Sequence, residues 1–237
     1  MPFLCAVPGI GEAPFAFSRL MCYHEVSNLQ GGLAVPTYLS ISFEYSKQHL
    51  TDQTVRDFCD ALLAGGATFA GGYWGFENDS YEEIIRWNQA KLQQNFELGC
   101  TEHHTHDYKQ MLLHFGSFSE VRLFVMNERK QPFFTFELII PEEDFFSGQD
   151  AASGKVQPER LALAEGLAVR MWEAGGMDCI QAAWESWDDP KAFAAIANGE
   201  KPCCMPFCIL PRRVVLSQWR LTCRPIGREG ILCRQEY

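Results

Sequence analysis

Three of the six histidines of the chain crowd into Glu102-His103-His104-Thr105-His106-Asp107. Imidazoles two residues apart on extended backbone share a face, so His104 and His106, with His103 beside them and Asp107 as an oxygen ligand, could clamp a Zn²⁺ or similar ion. Such an ion would lower the pKa of a bound water and make a metal-dependent hydrolase of the protein. The spacing matches no known hydrolase pattern, because Asp107 follows His106 directly and Tyr108 comes next. A metalloprotease helix is also missing, since His24-Glu25 continues as Val26-Ser27-Asn28. A polar loop joining a helix to a strand explains the cluster without a metal, and that reading is preferred.

Cys203-Cys204-Met205-Pro206-Phe207-Cys208 is a second candidate, since clustered thiols hold zinc or exchange electrons when a neighbour depresses their pKa. Adjacent cysteines on a strand do not readily face one ion, and Met205, Phe207 and Ile209 belong to a core, so buried, reduced thiols are expected. Two glycine motifs fail on spacing. Gly148 to Gly154-Lys155 has one residue too many for a phosphate-binding loop and ends in Val156 where Ser or Thr would bind magnesium, and no helix follows Gly227-Arg228-Glu229-Gly230 to supply an N-terminal anion site. Alternation across Val214–Cys223 predicts a strand with Arg220 and Arg224 on one face. That face could bind phosphate or nucleic acid, and its ordinary explanation is a charge-guarded edge strand or pairing with the acidic loop at Glu142 to Asp144.

Aromatic residues supply the remaining candidates. Tyr73, Trp74 and Phe76 stand in the glycine-punctuated run Gly71-Gly72-Tyr73-Trp74-Gly75-Phe76, and Trp184 and Trp187 flank another loop. These are the aromatics least explained by core periodicity, and aromatics beside glycines form pockets or partner surfaces as readily as they plug a core from a loop.

The elements that must position these groups centre on a strand meander at about residues 110–140. Val121, Leu123 and Val125 alternate with Arg122, and Phe134, Phe136, Leu138 and Ile140 with Thr135 and Glu137, so one face needs a cover of helices. Leu39, Ile41, Phe43 and Tyr45 alternate with Ser40, Ser42 and Glu44, predicting a further strand with one wet face. Helical spacing of Val55, Phe58, Cys59, Leu62 and Leu63 follows Thr51, which can cap the helix, and a strand at Ala67 to Tyr73 completes a strand-helix-strand unit. Ser80 and Glu83 have capping-box spacing ahead of a second helix that reaches about Phe96. Pro158 opens a third, which Gly175-Gly176 ends. A strand at Met177 to Trp184, a short helix through Phe193 and Ile196, and strands at Phe207 to Leu210 and Ile231 to Cys233 complete the pattern, with Pro141 to Lys155 as an exposed acidic loop. The order predicts an α+β fold with a mostly antiparallel sheet and helices mainly on one face. A single domain over 1–237 is expected, with a possible C-terminal subdomain at 157–237.

Composition narrows the function classes. With 47% hydrophobic residues the chain can bury a core without metal or disulfide staples. Thirty acidic against twenty basic residues give a formal charge of −10, which disfavours nucleic acid and suits a basic partner. Prolines break the N-terminal apolar stretch and no run is long enough to span a membrane, so a cytoplasmic protein without membrane attachment is expected. The leading expectation is a non-enzymatic protein-binding module, for example an immunity-type inhibitor, with no required cofactor. The metal-dependent hydrolase and the Arg220/Arg224 phosphate or nucleic-acid site are the alternatives.

Overall fold

Nine residues from Tyr38 to Ser46 form β1, in which Leu39, Ile41, Phe43 and Tyr45 turn to one side. In the computed structural model, which describes residues 37–147, 155–185 and 189–235, this strand is the middle of a nine-stranded sheet. It pairs with β5 (Phe133–Pro141) on one flank and β8 (Cys179–Trp184) on the other. Beyond β5 the sheet continues through β4 (Val121–Asn127) and β3 (Gln110–His114) to β2 (Thr68–Tyr73) at one edge. Beyond β8 come β9 (Pro206–Pro211), β11 (Gly230–Gln235) and β10 (Leu221–Pro225) at the other edge. Every neighbouring pair is antiparallel, and β6 (Phe146–Ser147) with β7 (Lys155–Val156) forms a separate two-stranded ribbon. The fold is α+β, as expected, and the meander lies where the alternation puts it.

The unit β1, α1 (Thr54–Ala64), β2 does not pair its two strands: α1 carries the chain across β5, β4 and β3 to the far edge. With α2 (Tyr81–Gln93) and α3 (Pro158–Ala174), it covers a single face of the sheet. Phe58 of α1 stacks on Phe136 at 3.9 Å between ring centroids and meets Phe43 edge-on at 5.2 Å. Burying such rings contributes about 2–3 kcal/mol each, and this aromatic seam locks α1 to the sheet. Ser80 accepts from the Glu83 N–H while Glu83 takes the Ser80 N–H, so the expected capping box starts α2. Pro158 stands in the first turn of α3, and Gly175 ends it at a φ of 89°.

The opposite face departs from expectation. Ser40 is 2% exposed and Ser42, Glu44, Thr135 and Glu137 are buried with it, so this face is polar without being wet. The cost of burying Glu137 is offset by hydroxyl donors: Ser40 to Oε2 at 2.9 Å, and Ser42 and Thr135 to Oε1 at 2.8 and 2.6 Å. Towards β9 and β11 the short α4 (Phe193–Ala197) covers it, packing Ile196 against Cys179, Cys204, Cys208 and Trp219.

Four further expectations change. The stretch predicted as one strand from Val214 to Cys223 is broken by a 3-10 turn at Ser217–Trp219 and a left-handed Arg220 (φ 52°), and only Leu221–Pro225 is strand. The acidic loop is partly interior, since Glu142 is buried and its N–H donates to Thr37 O at 2.9 Å. Cys223 and Cys233 form a disulfide between β10 and β11, in a chain expected to need no disulfide staples. Thr51 does not cap α1 directly; its hydroxyl accepts from the Gln53 N–H one residue before the helix. The sheet runs unbroken across residue 157 through the β1–β8 pairing. No helix among the described residues is long and apolar enough to cross a membrane.

Candidate functional site

At the end of edge strand β2 the chain folds back sharply on itself. A side chain at Gly72 would collide with the Phe76 carbonyl, and Gly75 adopts a φ of 90°, which only glycine takes without strain. Between them Trp74 is held at a φ of 54°, an uncommon conformation for a large side chain. The Gly75 N–H donates to Glu77 Oε1 at 2.9 Å, which holds that exposed carboxyl below its usual range.

The second component is the His loop. Trp87 Nε1 of α2 donates to Asp107 O at 2.8 Å, and Asn88 clamps Lys109 with two 2.8 Å bonds, to its carbonyl and from its N–H. Thr101 Oγ1 lies 2.8 Å from Asp107 Oδ1, so the loop is tied at both ends. Thus fixed, the 3-10 turn His104–His106 presents His104 flat against the Trp74 indole, 4.1 Å between centroids and 13° between planes. Phe76 lies buried at the edge of the same group, 6.4 Å from His104, with Lys109 Nζ 5.2 Å from its ring and ion-paired to Asp79 at 2.7 Å.

The candidate residues therefore divide. Trp74, Phe76 and His104 converge on one platform, with His103 and His106 exposed beside it. His103 and His106 stand edge-on at 6.1 Å while His104 turns away to Trp74, and Asp107 is buried. Among the described residues no group of three or more His, Cys, Asp or Glu is placed to hold a metal ion. Tyr73 belongs to the other sheet face, over Arg122, and Trp184 is core, packed against Phe145 and Phe146. Trp187 lies outside the described residues.

Arg220 and Arg224 do not share a face. Arg224 Nη2 donates to Glu165 Oε1 at 3.0 Å and Arg234 takes Oε2, so the buried Glu165 of α3 gathers two arginines from β10 and β11. This pairing replaces the expected one with Glu142 to Asp144. Cys203, Cys204 and Cys208 are buried, with Cys204 Sγ 2.7 Å from Cys208 Sγ and burial pushing the Cys208 thiol well up.

Sequence patterning missed Glu44. Both its oxygens accept from the Phe193 N–H, at 3.1 and 2.9 Å, and burial raises its carboxyl to about 7. A cavity of about 330 Å³ also opens where α1 meets the end of α3, lined in part by Tyr45, His49, Asp57 and Gly176.

No family model matches the sequence, and no curated protein matches it. Among solved structures, the Pseudomonas aeruginosa T6SS protein PA0821 aligns with 84% of this chain at 13% identity and a TM-score of 0.34. The alignment covers 65% of that protein, just under two thirds of its length. Likeness of that degree establishes neither a common fold nor a common role.

Proposed function

We propose that the chain is a non-enzymatic protein-binding module of the immunity-inhibitor kind, whose platform is the Trp74–His104 stack at the β2 edge. The observation that carries this reading is the rigidity of that stack: the turn at Gly72 and Gly75 and the ties from Trp87 and Asn88 fix both rings before any partner arrives. Pre-set aromatic groups bind at low entropic cost and are typical anchors of protein interfaces. The exposed Glu77 and Glu102 flank the loops that carry the rings, and the net charge of −10 favours a basic partner. The alternatives lack such support, because the histidines do not gather round one point and Arg224 is committed to Glu165.

Affinity capture from lysate of the source cells, with wild-type and Trp74→Ala/His104→Ala protein side by side, tests the proposal. Wild-type protein retains a basic protein in stoichiometric amount and suppresses its activity, and the double variant, folded by circular dichroism, loses at least about 100-fold in affinity. Equal capture by both proteins, or stoichiometric metal in the purified protein together with hydrolytic turnover, overturns it.

A further inference from the structure

The cavity of about 330 Å³ between α1 and the end of α3 has an apolar inner wall and a polar mouth. Phe58, Met171, Met177 and Tyr45 line it and are buried, whereas His49, Thr51 and Asp57 are exposed at its rim. Helical spacing sets Asp57, Phe58 and Ala61 on the one stripe of α1 that faces it. Opposite, Gly175 and Gly176 carry the chain out of α3 with φ of 89° and 94°, and a side chain at Gly176 would come within 3.1 Å of Tyr45 Cε1. Glycine therefore keeps that wall open. Neighbouring rings fix Tyr45: it stacks on Phe134 at 5.6 Å between centroids and meets Phe136 edge-on at 5.5 Å and Phe58 edge-on at 6.1 Å. The residue is 7% exposed, yet its hydroxyl makes no hydrogen bond with a described residue. Burial, then Cys59 and Asp57, raise the phenol, so it stays a neutral hydroxyl with Asp57 nearby. Among the described lining residues Asp57 is the one acid, it enters no ion pair, and none is Lys or Arg. Arg228 stands outside, donating to the Glu173 and Ala174 carbonyls at the end of α3.

An apolar pocket with a few polar groups at its mouth is the usual form of a small-molecule site, and a largely buried hydroxyl is costly unless water or a ligand completes it. A water occupies about 30 Å³ in the liquid, so this volume holds on the order of ten non-hydrogen atoms. We infer that the cavity binds a small arylalkyl amine, with its ring against Phe58 and the thioethers of Met171 and Met177 and its ammonium at the mouth between the Asp57 carboxylate and the Tyr45 hydroxyl. Sulfur and aromatic faces suit a flat apolar ring, and a charge-assisted hydrogen bond to Asp57 holds the cationic end. An anionic ligand of the same size would meet Asp57 with no Lys or Arg on the wall to answer it. The cavity shares no lining residue with the Trp74–His104 platform, and the inference does not depend on that platform's role.

Titration of the full chain, followed by NMR, with 2-phenylethylamine, 2-phenylethanol, phenylacetate and ethylamine tests the inference. 2-Phenylethylamine is expected to shift the amide resonances of Ala61, Gly175 and Gly176 saturably, and the neutral alcohol, the acid and the ringless amine to bind at least about 10-fold more weakly. Asp57→Asn weakens 2-phenylethylamine by about 10-fold and leaves 2-phenylethanol unchanged. Tyr45→Phe, which keeps the ring among its aromatic neighbours and loses the hydroxyl, weakens the amine by about 5-fold. Should Asp57→Asn fail to fold, the comparison of amine with alcohol on wild-type protein decides. No saturable shift by 2-phenylethylamine overturns the site, as does binding of the alcohol or the acid as tight as that of the amine. Equal binding of ethylamine overturns it too, because attraction to the net negative charge alone would then account for the shifts.

Discussion

Glu44 and Glu137 put two carboxyls inside the sheet where water cannot solvate them, and burial raises both. For Glu44 the folded-state value of about 7 lies above the 4.5 of the exposed group. The folded state therefore binds the proton more tightly, so stability is greatest below pH 4.5 and declines as pH rises towards 7, by at most about 3 kcal/mol, then levels off. Glu137 acts in the same direction. Glu44→Gln removes the ionisable proton and keeps an acceptor for the Phe193 N–H, so in urea denaturation the variant gains on wild type between pH 4.5 and pH 8 by about 2–3 kcal/mol. Parallel pH profiles for the two proteins would clear Glu44 of this role. The alternation of Ser40, Ser42 and Glu44 revealed that they share a face, but not that the face is interior. Period-two patterning reports sidedness, whereas burial of the polar side depends on hydroxyl donors from β1 and β5 meeting one carboxylate.

Strand and helix identities were largely legible because their causes are local: the Ser80–Glu83 box, Pro158 at the start of α3, and Phe134 to Ile140 alternating on β5. Connections between distant elements were not. Nothing in the sequence near Glu165 pairs it with Arg224 and Arg234, and nothing near Trp74 names His104, since each contact joins segments that only the sheet order brings together. The Glu165 joint also makes an asymmetric prediction at the level of α3 against β10 and β11. Its two arginines are about half exposed, 56% and 49%, whereas the Glu165 side chain is 6% exposed. Glu165→Ala returns both guanidinium groups to water and costs about 1–2 kcal/mol. The Arg224→Ala/Arg234→Ala pair strands a buried carboxylate and costs more, about 3 kcal/mol. Equal losses in denaturant titrations would mean that the carboxylate finds water or another donor. In α1, Phe58→Ala empties the stacked position against Phe136 and costs about 3–5 kcal/mol, read as a lower denaturation midpoint with an unchanged slope.

Across the whole molecule, the proposed recognition would divide its work between charge and contact. A chain of net charge −10 attracts a basic partner over distances comparable to the Debye length, about 10 Å at 0.1 M salt, and this attraction acts on the encounter. In the proposed role the Trp74–His104 stack would act only once surfaces touch, on the lifetime of the complex. The two contributions separate in stopped-flow and dissociation measurements with the captured partner. Raising salt from about 0.05 to about 0.5 M slows association by about 10-fold or more while leaving dissociation nearly constant. Trp74→Ala does the reverse, speeding dissociation and changing association little, at every salt concentration. If salt and the Trp74 substitution moved the same rate constant, the platform would be working through charge, and rigid aromatic anchoring at the β2 edge would lose its support.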